Sequence, residues 1–120
     1  MKKLFYFLFT GMFAAILFFG SCEKVVYPEI EVADTVSYSV DIQPIWDVKC
    51  VECHDGGFPP PDFRPEYSYE SLIDGEYIDT LNPANSPLMI KLYTSPHDAR
   101  ATELEKQTIL VWIEQGALDN

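Results

Sequence analysis

Apolar residues fill most of the first twenty positions of the chain, and after residue 40 they recur at helical spacing. Residues 4–19 form one apolar run, preceded by two lysines and followed by Gly-Ser and then Cys22. A positive start, a short apolar run and small residues at its end are typical of a secretory signal peptide, and the run is short for a membrane span. We therefore assign residues 1–21 to a signal peptide that is removed.

Cys22 follows a junction, Phe-Phe-Gly-Ser at 18–21, that resembles a bacterial lipobox. In a lipobox the cysteine receives a diacylglycerol and becomes the mature N-terminus, and several acyl chains on one residue give stable anchoring. The resemblance implies lipidation of Cys22 and a membrane-anchored lipoprotein in the periplasm, at the outer membrane or at the cell surface. The alternatives are an uncleaved anchor and an ordinary signal peptide that ends near a cysteine.

Residues 22–38 mix acidic and β-branched residues without a helical period, which favours an extended membrane tether. The domain is then expected over residues 39–120. Its first helix should be capped by Ser39 or Asp41, hold Pro44 in its first turn and run toward Cys50.

Three further helices are predicted downstream. Two glycines and three consecutive prolines make residues 55–67 a loop. A short helix should open at Tyr67 or Ser68 and end at Gly75, and another should open at Asn85 or Ser86 and be stopped by Pro96.

The last helix should begin at a capping box formed by Thr102 and Glu105, run to about Gln115 and be closed by Gly116. No strand pattern or internal repeat is visible, so the predicted fold class is all-α. The predicted apolar face of the last helix consists of Leu104, Thr108, Val111 and Trp112, with Ile109 and Ile113 beside them.

The charge of the mature chain is strongly negative. After residues 1–21 are removed, six lysines and arginines remain against 19 acidic residues, a net charge of −13. This negative charge argues against nucleic acid as a partner and against adhesion to anionic lipid head groups. It suits a protein partner with a basic docking face, or simply solubility.

Cys50-Val51-Glu52-Cys53-His54 carries the candidate chemistry. This spacing is the attachment pattern of c-type haem: the two thiols meet the two vinyl groups of one porphyrin, and the adjacent histidine binds the iron. A domain of about 80 residues also buries too little apolar surface to be secure alone, and a large cofactor would fill its centre.

Three other interpretations of the motif remain open. A structural zinc site would use Cys50, Cys53, His54 and His97. A thioredoxin-like dithiol would require a βαβ setting, which the pattern lacks. A disulfide between Cys50 and Cys53 suits an oxidising compartment, although so short a loop is strained.

The flanks of the motif resemble class I cytochrome c domains of bacterial surface lipoproteins. The similar segments are Val-Asp-Ile-Gln-Pro-Ile-Trp at 40–46, Asn-Pro-Ala-Asn-Ser-Pro-Leu at 82–88, and residues 105–117, which contain Trp-Ile-Glu-Gln-Gly-Ala. The resemblance covers about residues 38–118 and implies a small helical domain wrapped around one covalent haem c. The packing residues that it implies are Ile42, Ile45, Trp46, Ile109, Trp112 and Ile113.

The resemblance also places the sixth iron ligand in the loop before the last helix. Relatives often have Met-Pro there, whereas this chain has Pro96 and His97. We therefore expect His97 as the sixth ligand, with Met89 as the runner-up.

The function that follows is electron transfer between redox partner proteins, with no enzymatic activity and no small-molecule substrate. Two rivals are a haem sensor or catalytic haem with an open sixth position, and a non-haem structural lipoprotein with a Cys50–Cys53 disulfide.

Overall fold

The computed structural model describes residues 31–120. The signal peptide, Cys22 and the first part of the tether lie outside these residues, so the predictions made for them stay predictions. The described part consists of helices and loops without a strand, which confirms the all-α class. None of its helices is long and apolar enough to cross a membrane.

Four α-helices and two shorter helical turns make up the described domain. In chain order they are a π-helical turn Tyr38–Ile42, α1 Gln43–Lys49, α2 Ser68–Asp74, a 3₁₀ turn Pro83–Asn85, α3 Pro87–Leu92 and α4 Glu103–Glu114.

The first helical segment starts earlier than predicted. Its N-cap is Ser37, whose side chain accepts a hydrogen bond from the Val40 N–H, so the predicted caps Ser39 and Asp41 are wrong. The Asp41 side chain instead accepts from the Ser37 N–H at 2.8 Å. Pro44 does lie in the first turn of α1, as predicted.

Residues before the expected domain start at Ser39 are also packed. Val36 and Tyr38 are buried. The Val36 N–H donates to Gln115 Oε1 at 2.9 Å, and the Tyr38 N–H donates to Asn120 Oδ1 at 2.9 Å. The two ends of the domain are therefore joined. The attachment begins before Val36, since Gln115 Nε2 donates to the Asp34 carbonyl at 2.9 Å and Val32 packs against the core.

The predicted bounds of α2 are confirmed, since the helix begins at Ser68 and ends before Gly75. The predicted end of α3 at Pro96 is wrong. The helix stops at Leu92 with Tyr93 as its C-cap, so the chain leaves the helix before Pro96. The Thr94 hydroxyl donates to the Ile90 carbonyl at 2.6 Å.

The capping box of α4 is confirmed. The Glu105 N–H donates to the Thr102 hydroxyl at 3.2 Å, and the Thr102 N–H donates to Glu105 Oε2 at 2.7 Å. Gly116, with φ of +99°, follows the helix in the left-handed region that glycine favours.

The buried face of α4 differs from the predicted one at its first turn. Leu104 is 48% exposed, although it was expected in the core, because it lies on the side of the helix away from the buried positions Ile109 and Ile113. Thr108 and Val111 are half-buried at the edge of the buried face. Lys106 is buried instead. The six packing residues implied by the resemblance are confirmed as core: Ile42, Ile45, Trp46, Ile109, Trp112 and Ile113.

Candidate functional site

A cavity of about 480 Å³ opens beside the end of α1. This volume lies within the range of ordinary ligand pockets. Its walls come from α1, the loop after His54, α3 and the segment before α4. The apolar part of the lining includes Trp46, Phe63, Tyr77, Leu88 and Leu92.

Cys50 and Cys53 both line this cavity. They share one turn that continues α1, since the Cys50 N–H donates to the Trp46 carbonyl at 2.9 Å and the Cys53 N–H to the Cys50 carbonyl at 3.1 Å. Both thiols are free; Cys50 is half-buried and Cys53 is exposed. Burial raises the pKa of Cys50 to about 11, so this group is a neutral thiol at neutral pH.

The hydrogen bond of His54 determines which of its ring nitrogens can bind a metal. Its Nδ1 lies 3.1 Å from the Pro61 carbonyl oxygen. A carbonyl only accepts, so Nδ1 must carry the proton, and in a neutral imidazole Nε2 then carries the free lone pair. A histidine that binds a metal commonly donates its other ring N–H to such a carbonyl.

A buried polar network holds the loop that supplies this carbonyl. Gln43 Nε2 donates to the Phe63 carbonyl at 3.1 Å, and Gln43 Oε1 accepts from the Ser68 hydroxyl. The Phe63 N–H in turn donates to the His54 carbonyl at 2.9 Å. Gln43 of α1 therefore holds Phe63, and Phe63 in turn joins the two ends of the loop that runs from His54 to Phe63.

Trp46 joins this network to the cavity wall. Its ring packs against Phe63 with 4.6 Å between centroids. Among the described residues its buried Nε1 has no hydrogen-bond partner of good geometry. Burial raises the pKa of the nearby Tyr38 hydroxyl to about 12, while Ser68 and Trp46 act in the opposite direction.

His97 also lines the cavity, close to His54. The ring centroids of His54 and His97 are 6.2 Å apart, with 46° between the ring planes. Met89 is 2% exposed and packs in the core, and it is not among the residues that line the cavity.

The cavity is positively charged although the chain is acidic. Lys49, Lys91 and Arg100 line it, and these are three of the five lysines and arginines in residues 31–120. Of these three, only Lys49 has an acidic side chain within 4 Å among the described residues, with 3.8 Å between its Nζ and Glu105 Oε1. Arg100 and Lys49 both act to lower the pKa of Cys50, so they lie on the cysteine side.

Protein ligands alone do not form a metal site here. Within residues 31–120, no group of three or more His, Cys, Asp or Glu side chains is arranged to hold a metal ion. The zinc site considered from the sequence, with Cys50, Cys53, His54 and His97 as ligands, is therefore not assembled.

Several residues of the site could not be picked out from the sequence. Pro61 and Phe63 were assigned only to a loop, although an isolated aromatic residue within a proline-rich segment is a weak signal of burial. The role of Gln43 could not be predicted from the sequence, because its partners Phe63 and Ser68 are 20 and 25 residues away.

No protein-family model matches the chain, and no solved structure matches it. Hydrazine synthase subunit alpha of Kuenenia stuttgartiensis is a similar curated protein, 30% identical over 123 aligned positions. The alignment covers 69% of this chain and only 15% of that protein.

Proposed function

We propose that this chain is a membrane-anchored mono-haem c-type cytochrome, a lipoprotein that transfers single electrons between redox partner proteins. The observation that supports the proposal is that His54 and His97 lie near each other in the lining of a cavity that Cys50 and Cys53 also line. The cavity supports the proposal because it brings His97 close to three residues of the motif.

The spacing of the two imidazoles suits one iron between them. A metal–nitrogen bond is about 2 Å, and a ring centroid lies roughly 1 Å behind its nitrogen, so two rings on opposite sides of one metal have centroids about 6 Å apart. The centroids of His54 and His97 are 6.2 Å apart. Two protein ligands are enough for haem iron, because the porphyrin supplies the other four.

The cysteines are suited to attachment and not to iron ligation. Each thiol would add across one vinyl double bond of the porphyrin, forming a carbon–sulfur and a carbon–hydrogen bond with no leaving group. Thiolate is the form of cysteine that binds metals, and the raised pKa of Cys50 disfavours it. The two histidines are thus the available ligands.

Bound haem supplies a one-electron iron couple. Around it, Trp46, Phe63 and Leu92 would exclude water from the apolar part of the cavity. Two imidazoles favour ferric iron more than histidine with methionine does, which lowers the potential. Lys49, Lys91 and Arg100 act in the opposite sense, since nearby positive charge favours the ferrous state.

A redox titration of the purified holoprotein tests electron transfer. We expect one reversible one-electron transition and no binding of carbon monoxide by the ferrous protein, since His97 would occupy the sixth position. Rapid binding of carbon monoxide would instead favour a sensor or catalytic haem with an open site.

A further inference from the structure

Lys106 is the one charged side chain that is fully buried within residues 31–120, at 3% exposure. Its Nζ donates to the Asp98 carbonyl at 2.8 Å and to Glu103 Oε1 at 2.9 Å. It also lies 4.6 Å from the centroid of the Tyr93 ring, within the range of a cation–π contact. Lysine is rarely buried unless it is paired in this way.

These three partners belong to the connection between α3 and α4. Tyr93 ends α3, Glu103 begins α4, and Asp98 lies between them, next to His97. Lys106 therefore contacts the start, the middle and the end of the connection that carries His97.

The middle of this connection has few other attachments. The His97 N–H donates to the Thr94 carbonyl and the Arg100 N–H to the His97 carbonyl, both at 2.9 Å and both local. Among the hydrogen bonds of the described residues, only the one from Lys106 to Asp98 joins residues 95–101 to another element. Ala101 adds one buried apolar contact.

We propose that Lys106 is a positioning residue that keeps His97 beside His54, an inference that rests on the haem function proposed above. The ammonium group fixes the Asp98 carbonyl, and with it the backbone next to His97, against α4. Without this tie His97 would leave the iron more often, and external ligands would compete for the sixth position more easily.

The test compares ferric holoprotein of the wild type, Lys106→Met and Ile109→Val, using absorbance and titration with imidazole. Methionine keeps the length and apolar stem of Lys106 but donates nothing. We expect Lys106→Met to gain high-spin character and to bind imidazole at least tenfold more tightly, the size of effect expected for one charge-assisted hydrogen bond. Ile109→Val weakens the core of the same helix and should keep the wild-type spectrum and imidazole affinity.

A spectrum and imidazole affinity equal to wild type in Lys106→Met would overturn the positioning role while leaving the haem proposal intact. Wild-type protein without covalent haem would overturn both. If Lys106→Met does not fold, Lys106→Gln takes its place with the same expectation, because it is shorter and uncharged. Lys106→Arg, which keeps the charge and the donors, should restore most of the low-spin spectrum.

Discussion

His97 and Met89 differ in where their side chains lie, and this decides what each substitution should do. His97 lines the cavity near His54, whereas Met89 is enclosed by the core. We expect His97→Ala to convert low-spin ferric haem to high-spin haem and to allow the ferrous protein to bind carbon monoxide.

Met89→Leu is the matched control for that substitution. A volume-conserving change in a core usually costs less than about 1.5 kcal/mol, so the spectrum should stay that of the wild type while the melting temperature falls slightly. A near-infrared sulfur-to-iron band that is present in the wild type and lost only in Met89→Leu would reassign the ligand to Met89.

Asp79 gives the domain a defined response to acid. Hydrogen bonds from the Asn82 and Leu81 N–H groups hold its pKa below the usual 3.8. The stabilisation is therefore complete above about pH 5 and is lost as the pH falls through the lowered folded-state value. We expect Asp79→Asn to lower the melting temperature at pH 7 and to differ less from wild type near pH 3. A difference that stays constant over this range would contradict the assignment.

At the scale of elements, α4 contains a matched pair of positions that tests its orientation. Ile113 is fully buried and Leu104 is 48% exposed. We expect Ile113→Ala to lower the free energy of unfolding of the holoprotein by about 2–5 kcal/mol, and Leu104→Ala by less than about 0.5 kcal/mol. Denaturant melts would measure both. A comparable cost for the two substitutions would show that α4 buries the face predicted from the sequence.

The elements also show what the sequence could and could not predict. Some helix boundaries with local causes were predicted correctly, as at the capping box of Thr102 and Glu105, whereas the N-cap at Ser37 was missed. The prediction for Leu104 was wrong because apolar residues lie on more than one side of α4, and their spacing alone does not show which side faces the core. The burial of Lys106 was unforeseen, because its partners Tyr93 and Asp98 are brought to it by the tertiary fold.

The candidate site follows the same division. Cys50, Cys53 and His54 could be chosen from spacing alone, since the motif is local. Two other features depend on loops, whose course no periodic pattern predicts. One is the position of His97 near His54, and the other is the Pro61 carbonyl that orients His54.

At the scale of the whole molecule, anchoring should depend on Cys22, which lies outside the described residues. If the chain is a lipoprotein, Cys22→Ser should release it from membranes or leave an unprocessed precursor. Fractionation and migration on a denaturing gel measure this, with Cys53→Ser as the control that keeps the lipid. A Cys22→Ser protein that behaves as the wild type would rule out anchoring by this route.

The distribution of charge also bears on how partners would approach. The chain is acidic, yet three of the five lysines and arginines in residues 31–120 line the cavity. A partner with a basic docking face would therefore be attracted to the acidic body of the domain. It would not be attracted to the mouth of the cavity, where the basic side chains lie.

The central claim is covalent attachment of one haem through Cys50 and Cys53, and the intact mass under denaturing conditions tests it most directly. The protein should be expressed with cytochrome c maturation enzymes and compared with the Cys50→Ala/Cys53→Ala variant. The account predicts a wild-type mass increased by one haem, and a double variant that carries none. Wild-type protein without haem, two hydrogens lighter than its reduced form because Cys50 and Cys53 have formed a disulfide, would contradict it.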